Sequence, residues 1–301
     1  MKFKKAFFIK LLIIAAVGVA GLIALLARRQ APAQDTRLKV VTSGYVAFAV
    51  AREIGGDKIN LSMLLPANAE PHSFEPTPGT IIAVHSAGVF IYVSPQLEPW
   101  VKDILPSVRP GAAVVEAASG AAPSKDPHIW MDFDNMRPFA RAVSEALSGQ
   151  DPANRAFFEE RLALFLKELD ELDAEYSRVL SACQTREMVH IGHLAFGNLA
   201  ARYRLHLTAL AGTSHDGEHS VRKLAGVIKQ VRQSGVKYVF TEEEIAQNLA
   251  ATVARETGAQ VLPLYTVEHV SRQDVAAHTT YAQFMHRNLT NLARGLQCKA
   301  Y

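Results

Sequence analysis

The chain has 301 residues, 49% of them apolar and 20% charged, with a formal charge of +3. That length allows two ordinary domains, each with its own core, and that balance excludes a disordered chain. No run of five or more like charges occurs, which excludes a basic nucleic-acid-binding tail.

Lys2, Lys4 and Lys5 open a basic segment, residues 11–27 form an unbroken apolar run, and Ala31-Pro32-Ala33 offers a small-x-small cleavage site. This layout predicts that residues 1–33 are a secretory signal peptide. The alternative is an uncleaved anchor through residues 11–27, since the run is close to the shortest that spans a bilayer. Either way the body is expected in the periplasm or at an extracytoplasmic face. With no cysteine near residue 30, a lipid-modified anchor is not expected. The leader carries six basic residues and no acidic ones, so without it the formal charge falls from +3 to −3. Cys183 and Cys298 are then a disulfide candidate in an oxidising compartment, with two buried free thiols as the alternative.

The mature part is predicted to alternate strands and helices. Residues 38–43 read as a strand, 50–54 as part of a helix, 59–65 as a strand and 80–86 as a helix. Residues 89–93, 96–105 and 113–116 continue as strand, helix and strand. Such a βα repeat implies a parallel sheet with helices on both faces.

Asp151-Pro152 reads as a helix start, with Asp as the cap and Pro at the first helical position. Residues 153–182 contain neither Gly nor Pro, and Phe158, Leu162, Phe165, Leu169, Leu172, Tyr176 and Leu180 recur at three- and four-residue steps. They form one apolar stripe on a helix of about 30 residues, roughly 45 Å long. A coiled-coil dimer would use such a stripe, but βα units on both sides favour a spine between two domains. Strands resume at 187–191, 205–211, 237–240 and 260–265, with helices at 194–203, 221–233, 245–257 and 281–296. The expected fold class is therefore α/β: two βα lobes with parallel sheets bridged by one long rigid helix. Its parts are the leader 1–33, an N-terminal lobe 34–133, helices including the spine at 134–184, and a C-terminal lobe 185–301. A continuous helix resists bending, so the lobes should not hinge far apart, and ligands belong at the carboxyl ends of the strands.

Three of the eleven histidines, His72, His128 and His193, stand in loops near predicted strand ends. Pro71 and Pro127 restrict the backbone beside the first two, so those rings lose less entropy when held. Singly, each is most simply a surface or hydrogen-bonded structural residue. Their spacing fits neither a zinc finger nor a His-Glu-x-x-His helix. They gain meaning only if the loops converge on one crevice, which the βα phasing permits. His215-Asp216-Gly217-Glu218-His219 is either an auxiliary metal-capture loop or a polar loop that Ser220 closes as a helix cap. His85, His190, His206, His278 and His286 are assigned to core or surface. No Gly-x-Ser-x-Gly elbow or P-loop is present.

Several segments carry a resemblance. They are Pro71-His72-Ser73-Phe74-Glu75-Pro76, Asp126-Pro127-His128-Ile129-Trp130-Met131-Asp132, Gly192-His193-Leu194-Ala195-Phe196-Gly197 and Leu97-Glu98-Pro99-Trp100, together with the long helix. Over nearly all of residues 36–298 the sequence resembles the zinc/manganese-type solute-binding proteins of ABC importers. The resemblance implies a metal held between the lobes by four side chains, with His72 and His128 from the first lobe and His193 from the second. Where that family usually has an aspartate after the last strand, this chain reads Val267-Glu268-His269-Val270-Ser271. Glu268 is the expected fourth ligand, with His269, Asp274 or a water as alternatives. Three imidazoles and a carboxylate suit zinc in a closed tetrahedron at roughly 2.0–2.2 Å, and a nitrogen-rich site favours zinc over manganese. The acidic, histidine-rich insertion of many zinc-importing relatives is absent between Ala117 and Lys125. The implied partners are the divalent ion, an ABC permease and a periplasmic metallochaperone, with no nucleic acid. Capture and delivery is the expected function, without catalysis. The competing readings are a zinc-dependent hydrolase with three histidines and a water, and a surface adhesin.

Overall fold

The computed structural model describes residues 35–212, 221–242 and 247–299. The leader, the loop from His215 to His219, Ser220 and the expected helix start at residue 245 lie outside the described residues.

Strands β1 (Leu38–Thr42), β2 (Ile59–Met63), β3 (Val89–Tyr92) and β4 (Ala113–Glu116) form a parallel sheet in the order β2-β1-β3-β4. Helices α1 (Tyr45–Gly55), α2 (Pro78–Ser86) and α3 (Val101–Ile104) connect them. Two long helices follow, α4 (Phe133–Gln150) and α5 (Arg155–Ser181). The second series consists of β5 (Glu187–Ile191), α6 (Gly197–Arg202), β6 (His206–Ala209), α7 (Val221–Ser234), β7 (Tyr238–Glu242), α8 (Gln247–Thr257) and β8 (Gln260–Leu264). Its sheet is parallel too, in the order β6-β5-β7-β8, and α9 (Arg272–Ala276) and α10 (Tyr281–Gly295) close the chain. In each sheet the first strand lies between the second and the third, so strand order reverses beside it and a crevice opens at the carboxyl ends.

The β-branched runs behave as parallel-sheet interiors do. Val40, Val41, Val89, Phe90 and Ile91 are all fully buried, as expected where helices cover both faces. Local signals fix the helix starts. Thr77 and Thr80 form a capping box with Pro78 in the first turn of α2, and Thr280 and Gln283 form another ahead of α10.

Three elements differ from expectation. The helix predicted over 96–105 shrinks to α3 and the 3₁₀ turn Leu105–Ser107, because Pro99 lacks a backbone donor and disfavours the helical region for the residue before it. The helix predicted over 194–203 begins only at Gly197, so His193 stands on a turn rather than opening a helix. Asp151-Pro152 opens the 3₁₀ turn Pro152–Asn154 ahead of α5, and the Asp151 side chain makes no capping bond to it.

The spine stripe is covered by the chain itself. Phe158, Leu169, Leu172, Tyr176 and Leu180 are buried among α1, α4 and α10, which leaves no apolar seam for a coiled coil. One continuous apolar core holds residues of both sheets. Polar bonds cross between the two halves as well: Trp130 Nε1 donates to Thr266 O at 2.7 Å, and the Tyr281 hydroxyl to Trp130 O at 2.5 Å. The Tyr45 hydroxyl donates to Thr279 O at 2.5 Å. Cys183, just past α5, is disulfide-bonded to Cys298, just past α10. Among the described residues no helix is long and apolar enough to cross a membrane.

Candidate metal site

The four expected side chains sit in four loops that leave strand carboxyl ends. His72 follows β2, His128 follows β4, His193 follows β5 and Glu268 follows β8. Each loop has its own anchor. Trp100 Nε1 donates to Pro71 O at 2.8 Å, and its ring meets Phe74 at 4.9 Å between centroids. Glu98, fully buried, accepts the Val93 N–H at 2.8 Å. The Leu97-Glu98-Pro99-Trp100 segment thus steadies the loop that carries His72, whose N–H donates to Glu70 Oε1 at 3.0 Å.

His128 and His193 are gripped in the same way. Asp126 Oδ1 accepts both the backbone N–H of His128, at 3.0 Å, and its ring Nδ1, at 2.5 Å. Glu242 Oε1 accepts the backbone N–H of His193 at 3.0 Å and its ring Nδ1 at 2.8 Å. A carboxylate on Nδ1 places the ring proton there and turns the Nε2 lone pair forward. The two Nε2 atoms lie 3.1 Å apart. Glu268 Oε1 is 2.8 Å from His193 Nε2, and Oε2 is 3.3 Å from His128 Nε2. The His72 ring stands 5.7 Å from that of His128 and 6.2 Å from that of His193, and its buried Nε2 has no hydrogen-bond partner among the described residues. One donor atom from each of His72, His128, His193 and Glu268 falls within 4.8 Å of all the others, a group that could hold a metal ion.

The electrostatics call for positive charge. Burial opposes ionisation of Glu268, yet the His128 and His193 rings hold its carboxyl well below the usual range. Burial also disfavours charge on His193, but Glu268 and then Glu242 push it up to about 10. His128 is raised against its burial by Glu268 and Asp126, whereas burial lowers His72. A divalent cation meets the same need in place of protons, because imidazoles ligate in the neutral form.

The alternative fourth groups are placed differently. His269 lies beside the cluster, its Nδ1 3.5 Å from Glu268 Oε1 and its Nε2 3.2 Å from Glu70 Oε2. Asp274 is engaged by the Ser271 hydroxyl at 2.8 Å, the Thr279 hydroxyl at 2.8 Å and Arg287 at 2.9 Å. Sequence reading gave no role to Glu242, Asp126 or Asn198. Asn198 Nδ2 donates to His128 O at 2.9 Å, and its N–H donates to Asp126 Oδ2 at 3.2 Å. One signal was available in the glycines of the Gly-His-x-Ala-Phe-Gly segment. A Cβ on Gly192 would overlap Glu242 Oε1, and one on Gly197 would come within 2.5 Å of Asp126 Oδ2.

Known proteins share this arrangement of elements. The family model described as zinc-uptake complex component A periplasmic matches residues 40–295. The high-affinity zinc uptake system protein ZnuA of Bacillus subtilis is 29% identical over 291 residues, covering 90% of this chain and 91% of that one. The zinc-binding lipoprotein AdcA of Streptococcus pneumoniae is 28% identical over 279 residues, and there the match covers 86% of this chain but only 56% of the relative's length. Among solved structures, the metal-dependent lipoprotein YcdH of Bacillus subtilis superposes with a TM-score of 0.78 at 31% identity, covering 86% of this chain and all of that one. The Zn(II)-bound ZnuA-like domain of Streptococcus pneumoniae AdcA gives 0.77 at 28% identity, covering 86% and 99%. The match to the family model spans well over half of the sequence, and the chain belongs to the zinc-uptake complex component A periplasmic family.

Proposed function

We infer that the protein captures one divalent transition-metal ion outside the cytoplasm, zinc in preference to manganese, and hands it to the membrane permease of an ABC importer. The ligands in this reading are His72, His128, His193 and Glu268. The observation that carries it is their convergence within 4.8 Å, with a buried His72 Nε2 that no group among the described residues satisfies. Three imidazole nitrogens and one carboxylate are the donor set of a closed zinc tetrahedron, and they rank zinc above manganese. Zinc-binding names among the relatives support the same cargo.

In this reading the four groups would complete a tetrahedral shell and leave no position for a reactive water, which catalytic zinc sites keep open. Asp126 and Glu242 are occupied by histidine rings rather than placed as general bases. Both observations favour transport over hydrolysis. Since the two halves share one core, release in this reading comes from movement of the ligand loops and not from a wide hinge.

Metal analysis of the purified protein under zinc and manganese competition tests the proposal. One equivalent of zinc and no hydrolytic turnover are expected. His128→Ala should lower zinc affinity by more than the roughly 10–100-fold typical of losing a residue that only orients a ligand, with the far-UV circular dichroism preserved. Wild-type affinity in that variant would refute the assignment.

A further inference from the structure

Helix α6 belongs to the second βα series and begins at Gly197, shortly after His193. Its second residue, Asn198, turns its whole amide toward the first-series segment that carries His128. Nδ2 donates to His128 O at 2.9 Å and to Asp126 O at 3.2 Å, which uses both amide hydrogens. Oδ1 accepts the Ser124 hydroxyl at 2.9 Å, and the Asn198 N–H donates to Asp126 Oδ2 at 3.2 Å. Asp126 Oδ1 in turn holds the ring and the N–H of His128. One oxygen of that carboxylate therefore serves the histidine and the other serves α6. One turn further along the helix, Arg202 donates to Asp132 Oδ1 at 2.7 Å and to Asp173 Oδ1 at 3.0 Å, and it pairs with Asp134. Residues four apart share a helix face, so α6 grips the chain on both sides of His128.

The two rings joined in this way come from different halves of the chain. Their Nε2 atoms lie 3.1 Å apart. Two nitrogens at roughly 2.0–2.1 Å from a tetrahedral ion are about 3.3 Å apart, so the pair is held close to a chelating separation. We propose that Asn198 is the positioning residue that joins the two halves of the metal site. By bonding the carbonyls of Asp126 and His128 and one Asp126 carboxylate oxygen, it fixes the separation of His128 and His193 before a cation arrives, and the two imidazoles act as one preformed pair. Ordering two loops at the moment of capture would cost conformational entropy, and a pair already in place avoids that cost. This inference rests on the metal reading above.

The test compares Asn198→Ala and Asn198→Asp with the wild type in three measurements. They are zinc affinity against a chelating dye, the rate of zinc release into excess chelator, and amide hydrogen exchange over residues 124–134 in the metal-free protein. Asn198→Ala should lower affinity on the order of tenfold, the scale of losing a partner that orients a ligand, with faster release and faster exchange in that segment. Asn198→Asp keeps the size of the side chain but sets a carboxylate against two carbonyl oxygens. Its added negative charge would by itself attract a cation, so an equal or greater loss in this variant reads the broken bonds. Ser124→Ala removes an exposed hydroxyl that orients the Asn198 amide. It should move all three readouts the same way by about threefold, near the low end for a single hydrogen bond, which keeps the test decisive if the Asn198 variants fail to fold. Lower thermal stability with unchanged zinc affinity and release would give Asn198 a structural role alone and overturn the proposal. A loss of affinity without any change in the metal-free exchange would overturn it too, since the pair would then not be set before capture. A wild type that takes up no zinc would instead overturn the reading of the metal site itself.

Discussion

One carboxylate that bonds both the backbone and the ring of a histidine leaves that ring little freedom, and the cluster uses the device twice. The device needs space, which Gly192 and Gly197 provide. Gly192→Ala should therefore act on the cluster and not on the fold. Its Cβ would push Glu242 aside, lowering zinc affinity by about 10–100-fold while thermal unfolding of the metal-free protein moves little; a competing chelating dye reads the first and calorimetry the second. Glu98 makes a separate, pH-dependent contribution. Burial raises its carboxyl to about 7, against the Ser43 hydroxyl and the Val93 N–H. The folded chain thus binds this proton more tightly than the unfolded one, whose carboxyl titrates near 4.5. The resulting stability is full below that value and is lost as the pH rises through about 7. Glu98→Gln stays neutral throughout. Its stability relative to the wild type should improve by roughly 3 kcal/mol between about pH 4 and pH 8, at about 1.36 kcal/mol per unit, as read by urea titration at each pH. A difference that does not vary with pH would show that Glu98 titrates in the folded chain as it does in the unfolded one.

The long helix shows what an element's pattern reveals and what it withholds. The steps from Phe158 to Leu180 made the apolar stripe of α5 legible, since apolar residues at a 3.6-residue period line up along one face of a helix. The same stripe could not say whether its cover came from this chain or from a second copy. The packing of α1, α4 and α10 against it decided that. Leu169 is fully buried there, so Leu169→Ala should cost about 2–5 kcal/mol of stability, measured by denaturant unfolding. Elements with proline or polar turns near their ends were harder to bound. The 96–105 helix lost its first half at Pro99, and the 194–203 helix lost its first turn where Asn198 bonds Asp126. The second outcome depends on a bond to a distant loop, which no local window contains.

For the whole molecule, rigidity comes from a shared core, from hydroxyl and indole bonds between the halves, and from the Cys183–Cys298 bridge. The bridge joins residues 115 apart in sequence. Cys183→Ser with Cys298→Ser should cost about 2–5 kcal/mol in chemical unfolding. Zinc affinity should hold, because Cys183 precedes the amino-terminal end of β5 and His193 follows its carboxyl end, about 15 Å of strand away. A parallel loss of affinity would mean that the bridge shapes the cluster directly.

Periodicity and residue chemistry in the sequence were enough to determine two βα series and the spine between them, because hydrophobic spacing and proline act over a few residues, while the reading of three loop histidines as metal ligands came from the resemblance of their segments to a known family. Only the tertiary structure decided that those histidines meet Glu268, that Asp126 and Glu242 orient two of them, and that His269 turns toward Glu70. Except for Asp126 and His128, which are two positions apart, these contacts join residues tens to nearly two hundred positions apart, where the distance between side chains is set by how sheets and helices pack and not by the order of residues along the chain.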